Sequence, residues 1–294
     1  MMAVAWGVVG LMLAGVEGGC EMQGRAGEER EERTSEAPPP GAWQTVYLQP
    51  LAGEVGSRPG WRDVADHLYA SNFRASFRYP KDTVQLRYAL EGRPLGFSVV
   101  APAWSLKPNF CYQMKLWGPL GPWNGDPQGR DFTNWALGSS GRWSDGAENM
   151  YVYASGLDME WYVGKTMRGY LVFNFLVTEA DGSVVKSSRV NNSFHVTWKT
   201  SQREPSEEDG EVRRFPVAVP GPSWVYDRAY PRVEAGVFGE WEWGRPRPRE
   251  LELPAGTYSG VRFVLTEESF HSYLPEGGRW RTVMGVTLPD FVVP

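Results

Sequence analysis

The sequence predicts an all-β fold, an antiparallel sandwich with long aromatic-rich loops. Three observations carry this expectation. The chain holds 14 Trp, 13 Tyr and 13 Phe beside 34 Gly and 23 Pro. Aromatic side chains favour pleated strands, whereas Gly and Pro punctuate turns and break helices. Short runs of alternating apolar and polar residues recur between those turn residues. No stretch has the length and period of a strong helix. Each sheet must cover one apolar face, so many short strands without a long helix pack face to face.

The N-terminal segment precedes that body. Met1 to Val16 is uncharged and apolar and leads into Glu17-Gly18-Gly19-Cys20. An apolar run of about fourteen residues suits a signal-peptide core and falls short of the roughly twenty that a membrane-spanning helix needs. No Lys or Arg precedes it, and Glu17 stands where a bacterial lipoprotein box carries Leu. Residues 1–20 are expected to direct export, with Cys20 as the lipidation site. A plain secretory peptide cut near Cys20 is the alternative. Residues 21–42 are acidic and proline-rich, ending in Pro38-Pro39-Pro40, and form a solvated tether that cannot bury a core. The expected location is the bacterial cell envelope, held by lipid, or the secreted medium. Membrane contact is expected only through that N-terminal lipid.

Residues 43–294 are assigned to the sandwich, with an internal boundary near 204–214, where Glu204 to Arg214 is a charged excursion. Trp43 to Leu51 reads as the first strand. Trp61 to Tyr69 carries apolar residues at Trp61, Val64, Ala65, Leu68 and Tyr69, a spacing that predicts a short helix, with His67 on its surface. Thr83 to Leu90 alternates Val84, Leu86, Tyr88 and Leu90 with Gln85 and Arg87, a half-buried strand. Gly96 to Val100 continues the sheet. Gln113 to Trp117 is strand, and Gly118 to Gly164 is irregular and rich in Trp. Tyr170 to Thr178 is strand again, Asp181-Gly182 is a hairpin turn and Ser183 to Lys186 begins the return. Phe194 to Trp198, Val261 to Thr266 and Thr282 to Val293 supply further strands, whereas Trp224 to Trp243 reads as aromatic and irregular.

One turn signal is more specific. In Leu106-Lys107-Pro108-Asn109-Phe110-Cys111-Tyr112, Pro108 sets a turn, Leu106 packs beneath it and Tyr112 closes it. This segment resembles the tyrosine corner of fibronectin type III and immunoglobulin-like sandwiches, which implies an immunoglobulin-like or jelly-roll-type body and transfers no activity. Leu253-Pro254-Ala255-Gly256-Thr257-Tyr258 repeats the Pro-to-Tyr spacing. Cys111 is expected to be a buried small hydrophobe. A wider likeness rests on Ser193-Phe194-His195-Val196-Thr197-Trp198-Lys199-Thr200-Ser201-Gln202-Arg203, on Leu265-Thr266-Glu267-Glu268-Ser269-Phe270-His271 and on Gly277-Gly278-Arg279-Trp280. These segments resemble secreted bacterial and archaeal β-rich proteins of unassigned function, over most of residues 80–290. The resemblance implies export and brings no catalytic residues.

Candidate chemistry is sparse. The net charge is −5 and no basic cluster occurs, so no nucleic-acid partner is expected. Two histidines, His195 and His271, both follow Ser-Phe, and Glu267 and Glu268 precede the second. Together they could hold zinc if their strands met, but no short ligand spacing is present; structural histidines are expected, and no cofactor or metal is. Asp158 with Glu160, and Glu240 with Glu242, are carboxylate pairs of the type glycosidases use, though acidic pairs on solvated edges are commoner. Aromatic side chains of the Trp-rich loops, Trp123, Trp135, Trp143 and Trp161, are the candidate ligand contacts. Flat faces flanked by Asn, Asp and Arg suit sugar or peptide, although core packing is the favoured reading of such large side chains. The expected function is a non-catalytic binding or structural module with a carbohydrate or protein ligand at the cell surface. A carbohydrate-binding or carbohydrate-active protein and a metal-dependent hydrolase are the alternatives.

Overall fold

The computed structural model describes residues 43–51, 61–122, 132–144, 167–193, 195–198, 212–240, 251–267 and 281–294. All lie within one unit spanning 35–294. In chain order the strands are β1 (Gln44–Tyr47), β2 (Gln49–Pro50), β3 (Gln85–Ala89), β4 (Gly96–Ala101), β5 (Cys111–Pro119), β6 (Gly141–Ser144), β7 (Met167–Val177) and β8 (Val184–Arg189). They continue as β9 (His195–Trp198), β10 (Val212–Val219), β11 (Tyr230–Glu240), β12 (Gly256–Tyr258), β13 (Arg262–Glu267), β14 (Arg281–Thr287) and β15 (Phe291–Val293). A six-residue helix, α1 (Ser71–Ser76), precedes β3, and a 3-10 turn (Trp135–Gly138) precedes β6.

The fold is all-β and antiparallel, of sandwich type. One sheet has six strands in the order β2-β14-β13-β5-β7-β6, and a second has four in the order β1-β3-β4-β8. A three-stranded sheet, β10-β11-β9, and the pair β12-β15 complete it. The two larger sheets share one core. Phe97 of β4 lies 5.4 Å, centroid to centroid, from both Phe173 of β7 and Phe263 of β13. Each such buried aromatic contributes roughly 1.5–3 kcal/mol relative to exposure. In β3 the alternation is clean, with Leu86 and Tyr88 buried and Arg87 exposed. Strands β5, β7 and β13 are buried on both faces for most of their length, so they read as nearly continuous apolar runs.

The corner closes as its sequence requires. Leu106 and Tyr112 are fully buried, and the Lys107 amide donates to the Tyr112 hydroxyl at 2.9 Å. Tyr258 donates back to the Pro254 carbonyl at 2.9 Å and stacks on Phe291. Cys111 is a buried thiol. Beneath the first corner the Lys107 ammonium and the Glu267 carboxylate pair at 3.1 Å, both shielded from solvent. Lys107 Nζ also lies over the Trp61 and Phe110 rings, and Tyr79 donates to Glu267 at 2.6 Å. Removing one member of such a pair costs about 3–5 kcal/mol because it strands the other charge.

Several expectations are corrected. The first strand breaks at buried Leu48, and its halves join different sheets. Residues 61–69 are not helical. Arg62 bridges Leu68, and the Asp63 carboxylate takes the amides of Ala65 and His67 at 2.9 Å each. A side chain that captures local amides competes with the helix ladder. His67 is buried, not on the surface. The Asp181-Gly182 turn exists, with Gly182 at φ 78, but β7 and β8 belong to different sheets, so it is an arch between layers and not a hairpin. Residues 230–240 form the eleven-residue strand β11 where an irregular region was expected. Val212, Arg213 and Arg214 are strand, and 204–211 lie outside the described residues.

Candidate functional site

The predicted aromatic set is only partly described. Trp135 opens the 3-10 turn and packs, half-buried, against the core. Trp143 sits in β6 opposite Arg168 of β7. Trp123 and Trp161 lie outside the described residues, as do Cys20, Asp158, Glu160, Glu242, Glu268 and His271. His195 begins β9, in register with Glu240 of β11. Glu267 belongs to the buried ion pair. Among the described residues no group of three or more His, Cys, Asp or Glu could hold a metal ion, and no helix is long and apolar enough to cross a membrane.

A different aromatic pair is presented at the surface. Trp104 and Trp224 are each 47% exposed, with ring centroids 5.1 Å apart and planes at 51°. Trp224 also lies 5.0 Å from Phe73, the buried residue of α1. Six residues are too few for a helix to hold itself. Phe73 therefore anchors α1 through the aromatic row it shares with Tyr69 and Phe77.

The two Trp-bearing loops are fixed from below. The β4–β5 and β7–β8 connections both cross between the large sheets, and they do so side by side. Trp104 N donates to the Asp181 carbonyl at 2.6 Å and Asn109 N to the Glu179 carbonyl at 3.0 Å. Thr178 Oγ1 donates to the Lys107 carbonyl at 2.5 Å. Gly182 is obligatory here, because a Cβ would stand 2.1 Å from the Leu106 carbonyl oxygen. On the second loop, the Ser223 hydroxyl accepts the amides of Val225 and Tyr226, and Ala70 N donates to the Val225 carbonyl at 2.7 Å.

A buried polar junction ties both loops to a third. Tyr226 donates to Asp63 Oδ2 at 2.8 Å and accepts from Asn109 Nδ2 at 3.2 Å. His67 Nδ1 donates to the same carboxylate oxygen at 3.1 Å, and its ring stacks on Tyr230 at 4.1 Å. Asp63 thus accepts from Ala65, His67 and Tyr226. Tyr69 donates to the Pro108 carbonyl at 2.5 Å. Burial, reinforced by the Asp63 charge, pushes the Tyr226 phenol far above its ordinary range. Burial likewise raises Tyr69, with Tyr226 the next contributor. Both therefore remain neutral donors.

Trp104 carries the oddity of the site. Among the described residues, four other than glycine have φ in the left-handed region: Asp66, Asp82, Asn109 and Trp104, the last at 65°. Asp and Asn tolerate that conformation; a bulky indole does not, and the strain is of order 1–3 kcal/mol. Strain held at an exposed aromatic is a mark of function more than of stability. Sequence reasoning passed over Trp104, although it stands two residues before the recognised corner, and it absorbed Trp224 into an irregular region. Asp63 and His67 were hidden by their helical spacing.

No protein-family model, curated protein or solved structure matches the chain. The site's own geometry therefore carries the functional argument. It offers two flat apolar faces on rigid loops, with an Asp–His–Tyr junction spent on bracing.

Proposed function

We propose that the chain is an exported, non-catalytic binding module of the bacterial envelope, and that it meets its ligand with Trp104 and Trp224. The observation that carries this reading is the exposed indole pair, one member of which holds a left-handed backbone. Trp104 keeps that backbone although nearly half of the residue stands in water. Rigid loops also lower the ordering cost of binding. The location rests on the apolar run, Gly18-Gly19-Cys20 and the proline-rich tether. Mass spectrometry of the mature N-terminus tests the anchor: a diacylglyceryl group on Cys20 is expected, and an unmodified Cys20 removes it.

Binding is tested by co-sedimentation with detergent-extracted bacterial wall sacculi, which hold no lipid for an anchor to enter. Mature protein should pellet, and a W104A/W224A variant should lose at least about tenfold in affinity, the ~1.4 kcal/mol or more expected of an aromatic contact at an interface centre. Equal pelleting of the two proteins, or none by either, contradicts the proposal.

A further inference from the structure

We infer that the ligand of the Trp104–Trp224 site is a saccharide chain. This rests on the binding-module reading above. Three classes of ligand can cover an exposed indole pair: a protein surface, a stacked nucleobase or a sugar ring. Area, charge and ring geometry discriminate among them.

Area argues against a protein. A Trp side chain can bury about 250 Å² at most. With 47% of each exposed, the pair offers roughly 120 Å² per ring and about 240 Å² together. A stable protein interface needs about 800 Å² per partner with an apolar centre. Among the described residues, the other exposed large apolar side chains, Tyr47, Val185, Val212 and Val292, are single residues on four different strands, β1, β8, β10 and β15. Among the described residues, the open area of the pair matches one or two sugar rings.

Charge argues against a nucleic acid. Stacking on aromatic side chains is how single strands bind, but their phosphates also need a basic groove. The loop packed under Trp104 carries Glu179, which pairs with Arg213 at 3.4 Å, and Asp181. The Asp181 carboxyl is held below its ordinary range by hydrogen bonds from Ser183, so it stays charged. Exposed Asp227 follows Trp224 by three residues, balanced by exposed Arg228. Charges of both signs in this mixture make no basic groove for phosphates among the described residues, while the oxygens can accept hydroxyl hydrogen bonds.

A sugar ring fits both features. Its axial C–H bonds give it an apolar face to lay on an indole, while its hydroxyls radiate towards polar neighbours. The polar neighbours here are exposed: Ser71 and Asn72 precede Phe73 on α1, and Ser223 precedes Trp224. Two planes at 51° cannot lie together on one flat surface. The pair therefore suits a single, twisted chain in preference to the face of a crystalline polymer.

The test uses the same wall sacculi, offered to the mature protein untreated, after protease digestion, and together with an excess of soluble glycan strands freed of peptide by an amidase. Binding that depends on Trp104 and Trp224 should fall at least tenfold with the free glycan as competitor and be unchanged after protease. W104F and W224F, which keep a flat ring, should retain most of it. Loss after protease with no competition by free glycan would overturn the saccharide and leave the binding module standing, with a protein as its ligand. Binding unmoved by either would overturn the saccharide as well. No Trp-dependent binding to the untreated sacculi would overturn both readings.

Discussion

At Trp104 two demands conflict, and the conflict is measurable. A left-handed φ of 65° favours glycine, yet the residue is an indole packed at a tilt against Trp224. Relieving the strain returns about 1–3 kcal/mol. Losing the aromatic contact costs about 0.5–1.5 kcal/mol, and glycine adds roughly 0.5–1 kcal/mol of chain entropy. W104G is therefore predicted to change stability by no more than about 2 kcal/mol in either direction while abolishing binding. Urea denaturation beside a binding isotherm checks this. A loss of more than about 3 kcal/mol, the scale of a buried aromatic, would make Trp104 a packing residue. The sequence could not show the conflict. Trp104 has no periodic neighbour to mark its exposure, and its amide bonds a carbonyl 77 positions away, on Asp181.

At the scale of elements, the legible parts were those whose cause is local. Alternation in β3 and the Pro-to-Tyr spacing of the corner are written in adjacent residues, and both appear in the structure. Tyr112→Phe removes the acceptor of the buried Lys107 amide and the partner of the Tyr79 hydroxyl, 3.1 Å away. A loss of roughly 1–2 kcal/mol is expected in chemical denaturation. An unchanged midpoint would mean that the bond does not hold the corner. Less legible were elements decided by distant partners. Residues 61–69 carry helical spacing, but Asp63 captures two of their amides and then anchors Tyr226, 163 residues on. Asp181-Gly182 has the same turn chemistry in a hairpin as in an arch. Its assignment to an arch comes from contacts with the 102–110 loop that no local pattern encodes. The exposed pair is a still more distant case, since Trp104 and Trp224 meet only because two crossovers and α1 converge.

Across the whole molecule, buried phenols set the alkaline limit of stability. Burial, with the Glu267 charge second, holds Tyr79 and Tyr112 well above their ordinary value of 10.0. Tyr69 and Tyr226 are raised too, both chiefly by burial. The folded state therefore prefers the protonated phenol. Below pH 10 these tyrosines are protonated folded or unfolded, and their contribution is complete. Above it the unfolded chain ionises first, so stability falls as pH rises. Thermal midpoints should hold steady from neutrality to about pH 9 and drop steeply beyond pH 10. Tyrosinate absorbance should lag, with a subset of phenols ionising only as the fold is lost. Smooth titration of all 13 tyrosines in a still-folded protein would contradict the buried network.

The same rigidity that shelters those phenols holds the Trp104–Trp224 pair open to solvent, and that pair is the centre of the functional account. Its most direct test is the binding isotherm of mature protein on wall sacculi, read against W104A/W224A with far-ultraviolet circular dichroism as the control for folding. Saturable binding by the native chain, weakened at least about tenfold in a variant with an unchanged spectrum, is the predicted result. Identical isotherms from the two folded proteins would contradict it and place any binding elsewhere on the sandwich.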